Sequence, residues 1–361
     1  MCIGTTYHWF KSGAFNWSTI ILAVVLMTII ELSITAGYHR LFAHRTYNAA
    51  WPVRLFFLIF GAAGLQGAAI QWALDHRDHH NYVDDNDRDP YSINKGFFWA
   101  HMGWLYFKQN EQLKEMEKAG DLTDDPLVVA QYHCWVPLGF FVGYILPGII
   151  ALSWGDFFGG IFIAGFLRSL VNHHATFLIN SLTHCVGKQT YSDSHSARDN
   201  WFTAFLTFGE GYHNYHHEFP SDYRNGVRAW DWDPSKWVIR ALSYVGLTTG
   251  LKKINEEIIL RKRIQMKEKL MRKKLNKVNF DFSKYATSLD ELKAKFETAF
   301  RSLSNLRQEY KDLNKKSYKP GFVGLEVKVL KDKIAEARKE FKLAAREWNG
   351  MRREILAFAK A

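Results

Sequence analysis

His39-Arg-Leu-Phe-Ala-His44, His76-Arg-Asp-His79-His80 and His213-Asn-Tyr-His216-His217 are three histidine boxes set among apolar stretches. They hold eight of the chain's 15 histidines, and His184, four residues after Asn180, makes a ninth candidate. Neutral imidazole is a borderline metal ligand. Positions i, i+3 and i+4 share one side of a helix, so His76, His79 and His80 present their rings together, as do His213, His216 and His217. Nine such ligands are too many for one metal and suit two. Imidazole alone fits zinc, iron, copper or nickel. Structural zinc is usually closed with sulfur, and the Glu-x-x-His pair of carboxylate-bridged bundles does not occur in the boxes. A histidine-rich two-metal site beside apolar spans points to oxygen chemistry on a lipid.

The boxes also decide the fold. Apolar stretches run over about 17–38, 52–73, 135–155 and 157–182, and about 20 helical residues cross a hydrocarbon core of about 30 Å. Length alone counts four transmembrane helices. His39 closes the first stretch and His76 the second, so crossing by both would leave these boxes on opposite membrane faces. Stretch 52–73 carries Arg54, Gln66 and Gln71 and is diluted by Gly61, Gly64 and Gly67. It reads as a buried or interfacial helix on the cytosolic side. Stretches 135–155 and 157–182 then form a hairpin, with Pro147 inside it and Trp154-Gly155 at its far turn. That hairpin returns His184 and the third box to the side of the first two. Segment 84–132, polar and Asp-rich at 84–90, reads as a soluble cap over the site.

Hydrophobic residues make up 47% of the 361-residue chain and aromatics 16%, and the net charge is +11. The charge is localised: residues 251–278 hold 11 Lys or Arg against three Glu. A basic block beside apolar spans suits anionic lipid, and no nucleic-acid-binding pattern surrounds it. Cys2, Cys134 and Cys185 support neither a disulfide framework nor a cysteine zinc site. The N-terminus lacks the basic region and cleavage site of a secretory signal.

Beyond Trp237 the chemistry-bearing residue types thin out. Leu289, Leu292, Phe296, Leu303, Leu306, Tyr310 and Leu313 recur at helical spacing, and Leu330, Ile334, Ala337, Phe341, Trp348 and Ile355 form a second stripe. Ser288 with Glu291 marks the first helix's start as a capping box, and Pro320-Gly321 separates the two. The expected class is all-α: a polytopic membrane protein with long transmembrane helices, a cytosolic helical cap carrying a histidine-ligated dimetal site, and a C-terminal helical hairpin. Its parts are a membrane domain with cap over 1–250, a basic juxtamembrane segment over 251–278 and a helical hairpin over 279–361.

The boxes, with Asn180-Ser-Leu-Thr-His184 and Gly209-Glu-Gly-Tyr-His213-Asn-Tyr-His216-His217-Glu-Phe-Pro220, resemble the membrane-bound acyl-CoA delta-9 desaturases of the fungal and animal branch. The likeness extends from about Thr35 to Lys253, through Ile34-Thr-Ala-Gly-Tyr-His39, Arg88-Asp-Pro90, His101-Met-Gly-Trp104 and Arg198-Asp-Asn-Trp201. It implies two ferrous ions. The first would be held by His39, His44, His76, His80 and His217; the second by His79, His184, His213 and His216, with Asn180 holding a water. His39 and His44 are i,i+5, which a continuous α-helix would splay by about 140°, so the chain must bend there or the metal must sit between segments.

The resemblance further implies insertion of a cis double bond into a saturated fatty acyl-CoA, with O2 as cosubstrate and two electrons. Trp72, Asp75 and Lys108 would contact the acyl-CoA, and Glu210 and Asp75 would orient ligating imidazoles. Gly67 and Leu74 stand where animal members carry polar residues near the CoA. Stretch 17–38 leads directly to His39, which makes Ala23, Met27 and Ile30 expected tunnel-end residues. His101 is a candidate partner of the ligands, whereas His173, His174 and His195 read as structural.

Two departures from the family pattern stand out. Met1 falls near the middle of the family's first membrane hairpin, leaving three expected spans. No histidine follows His217, so no fused haem domain is expected, nor is there a dinucleotide fingerprint; neither bound haem nor NAD is expected. Electrons would come from a separate carrier, cytochrome b5 with its reductase. The resemblance places the protein in the endoplasmic reticulum membrane with its site facing the cytosol. A fatty-acyl hydroxylase on the same scaffold, or a non-catalytic metal-binding membrane scaffold, are the competing functions.

Overall fold

Asn16 opens the first long helix, its side chain accepting from the backbone amides of Ser18 and Thr19. In the computed structural model, which describes residues 2–12, 16–107, 119–278, 283–316 and 323–359, the chain is mostly helical. It divides into two compact units, Met1–Ile254 and Asn255–Ala361.

In the first unit, α1 (Cys2–Ser12) precedes α2 (Trp17–Leu32), which continues as a π-helical stretch over Ser33–Ala43. A two-residue strand, Asn48–Ala49, pairs antiparallel with Thr248–Thr249. α3 (Trp51–Ala62) and α4 (Ala69–Asn81) follow. Stretch 52–73 is thus two helices, parted by a turn in which Leu65 and Gly67 take positive φ, and α3 has 12 residues, too few to cross a bilayer. The cap contains short pieces, α5 (Trp104–Phe107) and α6 (Gly120–Thr123). α7 (Pro126–Phe140), capped by Asp125 with Pro126 at its first position, runs through a π-helical turn into α8 (Leu146–Leu152).

Among the described residues two helices, Trp17–Ala43 and Pro126–Leu152, are long and apolar enough to cross a membrane. The second begins nine residues before the expected stretch, because its cap lies at Asp125. Beyond the Trp154-Gly155 turn, α9 (Phe157–Gly159), a π-helical stretch and α10 (Arg168–Cys185) form one continuous helix. Two of its buried polar residues find partners inside the protein. Arg168 donates to the carbonyls of Ala63, Gly143 and Ala164, and Asn172 donates to Glu31 at 2.9 Å.

α3 and α7 approach closely because Gly139 faces the Ala62 carbonyl, which an added Cβ would meet at 2.3 Å. Tyr38, Phe42, Phe57, Leu58, Ile70 and Ile239 belong to the main core. Three short helices complete the unit: α11 (Trp201–Leu206), α12 (His213–Glu218) and α13 (Pro234–Tyr244). Asn200 caps α11 and Asp233 caps α13 through their side chains.

The second unit contains α14 (Glu256–Lys277), α15 (Ser283–Lys316) and α16 (Val323–Phe358). The basic segment therefore supplies a third helix to the expected hairpin, for a physical reason: Ile264, Met271 and Leu275 form an apolar stripe that joins Leu289, Phe296, Leu303, Phe341 and Trp348 in one core. α15 starts five residues before Ser288, so the capping signature lies inside the helix; the added turn places Tyr285 against Phe358, ring centroids 6.0 Å apart. Pro320-Gly321 lies outside the described residues.

Candidate metal centre

Helical phase sorts the boxes. An α-helix turns about 100° per residue, so i+4 lies about 40° from i and i+3 about 60° to the other side. In α4, His76 and His80 are the i,i+4 pair and His79 diverges. In α12, His213 and His217 are that pair and His216 diverges. The structure gathers His39, His44, His76, His80 and His216 into one group, and His79, His184, His213 and His217 into another, with the donor atoms of each within 4.8 Å of one another. Each group takes the i,i+4 pair of one box and the i+3 residue of the other. This corrects the expected assignment, which gave His217 to the first group and His216 to the second. The roll of α12 decides the matter, bringing His216 Nε2 to 2.9 Å from His39 and 2.8 Å from His80, and His217 Nε2 to 3.2 Å from His79.

The bend expected between His39 and His44 is a π-helix. Its hydrogen bonds run i to i+5, and the His44 amide donates to the His39 carbonyl at 3.0 Å, bringing the two rings edge to face with centroids 4.9 Å apart.

Three imidazoles have their outer nitrogen engaged. His39 Nδ1 lies 2.8 Å from Glu210, and His79 Nδ1 lies 2.9 Å from Asp89. His184 Nδ1 lies 2.6 Å from Ser196 Oγ, whose hydroxyl donates to Asp84. A carboxylate accepts, so Nδ1 carries the proton and Nε2 turns a bare lone pair inward. Burial first, then neighbouring imidazoles, hold His44, His76, His80, His184, His213, His216 and His217 well below the usual histidine range. Their neutral form is the ligating form. Lone pairs converging this closely call for a cation between them, and the all-nitrogen donor set fits iron.

Arg40 buttresses Glu210 at 2.8 Å and reaches Asp233 at 2.9 Å. Burial alone would raise the Glu210 carboxyl; His39 and Arg40 hold it below the ordinary glutamate value. Asn214 secures α12 by donating to the carbonyls of Ser192 and Ala197.

A cavity of about 490 Å³ opens onto both groups, reaching His39, His76 and His213. Asn180, one turn before His184, lies on its wall with Trp72 and Asp75. Trp72 stacks on His76, centroids 4.9 Å apart. Lys108 lies outside the described residues. From this helix the cavity is lined by Glu31, Ile34, Thr35 and His39, not by the expected Ala23, Met27 and Ile30: Ile30 is buried with Leu26 and Val142, and Ala23 packs on that cluster. His101 bonds Ser181 and His174 instead of a ligand. His195, expected as structural, is buried with its ring 5.1 Å from His217.

Sequence reasoning missed Asp89, Ser196 and Asp84 as partners of ligating rings. Asp89 was legible as the middle residue of Arg88-Asp-Pro90, but the acidic turn 84–90 reads equally as loop chemistry. Nothing local marks Ser196.

The fatty acid desaturase family pattern matches residues 15–245. The chain is 43% identical over 261 residues to Acyl-CoA desaturase 1 of Saccharomyces cerevisiae, covering 72% of this chain and 51% of that protein. It is 43% identical over 262 residues to a probable acyl-CoA desaturase of Schizosaccharomyces pombe, covering 72% and 54%. Delta(9)-fatty-acid desaturase fat-7 of Caenorhabditis elegans is 38% identical over 251 residues, 68% of this chain and 74% of that protein. The chain thus spans about half the length of the two yeast relatives. The matched region contains every box and both nitrogen groups, and the chain belongs to the fatty acid desaturase family.

Proposed function

We propose that this chain is an acyl-CoA desaturase that places a cis double bond, at the delta-9 position, in a saturated fatty acyl-CoA. The observation that carries the reading is the pair of convergent imidazole groups that open onto one cavity. Relatives named for delta-9 and for Delta(11) desaturation both match this chain, so cavity depth sets the bond position. The net reaction removes two hydrogens from adjacent methylenes and, with O2, two electrons and two protons, yields two waters.

His39, His44, His76, His80 and His216 would hold one iron, and His79, His184, His213 and His217 the other, with Asn180 positioning a water. When bound, iron supplies the oxygen-dependent oxidation of an unactivated C–H bond, which no acid–base pair can perform. Glu210, Asp89 and Ser196 hold three rings with Nε2 inward. Trp72, stacked on His76, walls the cavity so that one part of the chain faces the metals. Trp72, Asp75 and Lys108 would contact the acyl-CoA. The electron donor would be a separate carrier, cytochrome b5 with its reductase. The protein would sit in the endoplasmic reticulum membrane as a multi-pass protein with its site on the cytosolic side, a reading that the two long apolar helices support.

Expression in desaturase-deficient, oleate-requiring yeast tests this, with total fatty acids read by gas chromatography–mass spectrometry. A new monounsaturated acid that is absent from a His213→Ala control is expected, and its fragmentation gives the bond position. A hydroxy acid in its place would reassign the chain to hydroxylation.

A further inference from the structure

Several described cations of the second unit pair with carboxylates. Arg261 meets Glu297 at 2.9 Å, Arg272 meets Glu268 at 3.0 Å, and Lys295 meets Glu347 at 2.7 Å. Arg307 and Arg338 converge on the buried Glu257 at 2.7 and 2.8 Å.

One cluster departs from this pattern. Between α14 and α16 lies a cavity of about 460 Å³ whose wall carries Lys267, Lys342, Arg346, Arg352 and Arg353, with Asn349 and no carboxylate. The spacing is that of two facing helical stripes: Leu260 and Lys267 on α14, and Lys342, Arg346, Asn349 and Arg353 on α16, three, four or seven residues apart. Leu260 and the buried Ala345 supply the cavity's apolar residues, and Lys342, Arg346 and Arg353 are exposed around it. Lys267 donates to Asn349 at 2.8 Å. The Nε of Arg352 is buried without a partner, as is that of Arg263, one turn before Lys267. Burial first, then Arg263, Arg352 and Arg353, hold the Lys267 ammonium below its ordinary value. Five like charges around one cavity repel, and buried donors left unpaired are costly.

We propose that this cavity is a binding site for a small polyphosphate anion. A guanidinium fork matches phosphate bidentately, and a ligand with two or more phosphates is needed to engage five cations from both helices. The volume lies in the range of small-molecule sites. The same chemistry occurs in a soluble phosphorylated metabolite and in a phosphorylated lipid headgroup.

The test uses the full chain in detergent, titrated by microscale thermophoresis with inositol 1,4,5-trisphosphate and, separately, with dioctanoyl phosphatidylinositol 4,5-bisphosphate. Saturable binding is expected, weakened about tenfold or more by Arg346→Gln/Arg352→Gln, the loss of at least one charge-assisted hydrogen bond. Arg261→Gln/Arg272→Gln removes the same charge from paired cations and is expected to leave affinity within about twofold. Equal affinity for the two probes assigns the site to a soluble ligand. Tighter binding of the lipid assigns it to a headgroup. Should the first pair fail to fold by circular dichroism, the exposed Lys342→Gln/Arg353→Gln pair replaces it. Absence of saturable binding in both titrations, or equal weakening by the paired-cation variant, overturns the proposal.

Discussion

Glu210 reaches His39 Nδ1 with one oxygen and Arg40 with the other, and Asn225 donates to it at 2.7 Å. Replacing it by Gln keeps the shape and removes the charge that fixes the His39 tautomer. Loss of such a partner typically costs about 10–100-fold in metal affinity or activity. Glu210→Gln and Asp89→Asn are therefore each expected to release iron about 10–100-fold more readily in a chelator titration. His101→Ala should leave retention unchanged, since His101 bonds Ser181 and His174; equal loss in all three variants would contradict the assignment. Gly211 is a steric case. A Cβ there would meet the Ala204 amide nitrogen at 2.0 Å and the Asn200 carbonyl at 2.6 Å. Both are backbone and cannot swing aside. Gly211→Ala is expected to cost at least the roughly 1–3 kcal/mol of ordinary overpacking, read as a fall in melting temperature.

At the scale of elements, Arg77 locks α4 to the end of the π-helix. It donates to the carbonyls of Phe42 and Ala43 and to both oxygens of Asp121. The Arg77 hydrogen bond, the largest influence, holds the Asp121 carboxyl below the ordinary aspartate value. A depressed carboxyl adds stability that is fully present above the unfolded pKa, about 4, and is lost as pH falls through the lower folded value. Asp121→Asn should thus be less stable at neutral pH and lose less on acidification below about pH 4, measured as unfolding midpoints by circular dichroism. Parallel pH curves for the two proteins would show that the ion pair contributes nothing. The π-helix shows how far an element can be read from sequence. The i,i+5 spacing of His39 and His44 demanded a bend, but the backbone that supplies it depends on Tyr38, which bonds Gln131 at 2.6 Å and lies against Gly61, contacts remote in sequence.

For the whole molecule, metal and packing act on different units. A ligand that binds the folded state alone stabilises it by mass action. Stripping iron is therefore expected to speed hydrogen exchange in α4 and α12 while α15 and α16 keep their protection. Trp348, fully buried in the second unit, should cost about 3–5 kcal/mol as Trp348→Ala and raise exchange in α16. Exchange that rose everywhere after either change would mean that the two units unfold as one.

The sequence by itself determined the donor types, their helical phase and the family. Box spacing is covalent, so it travels with the chain: i,i+4 histidines share a helix face whatever surrounds them. The apolar stripes of α15 and α16 were legible for the same reason. Tertiary structure alone decided which group His216 and His217 join, because six residues of α12 specify a face but not the roll of that face against α4. It also decided that Asp89 and Ser196 orient ligands, that Glu31 and Ile34 bound the cavity, and that α14 completes a three-helix core. Each of these rests on contacts made outside the helix that carries the residue, where the energy lies in burial and hydrogen bonding that local spacing does not encode.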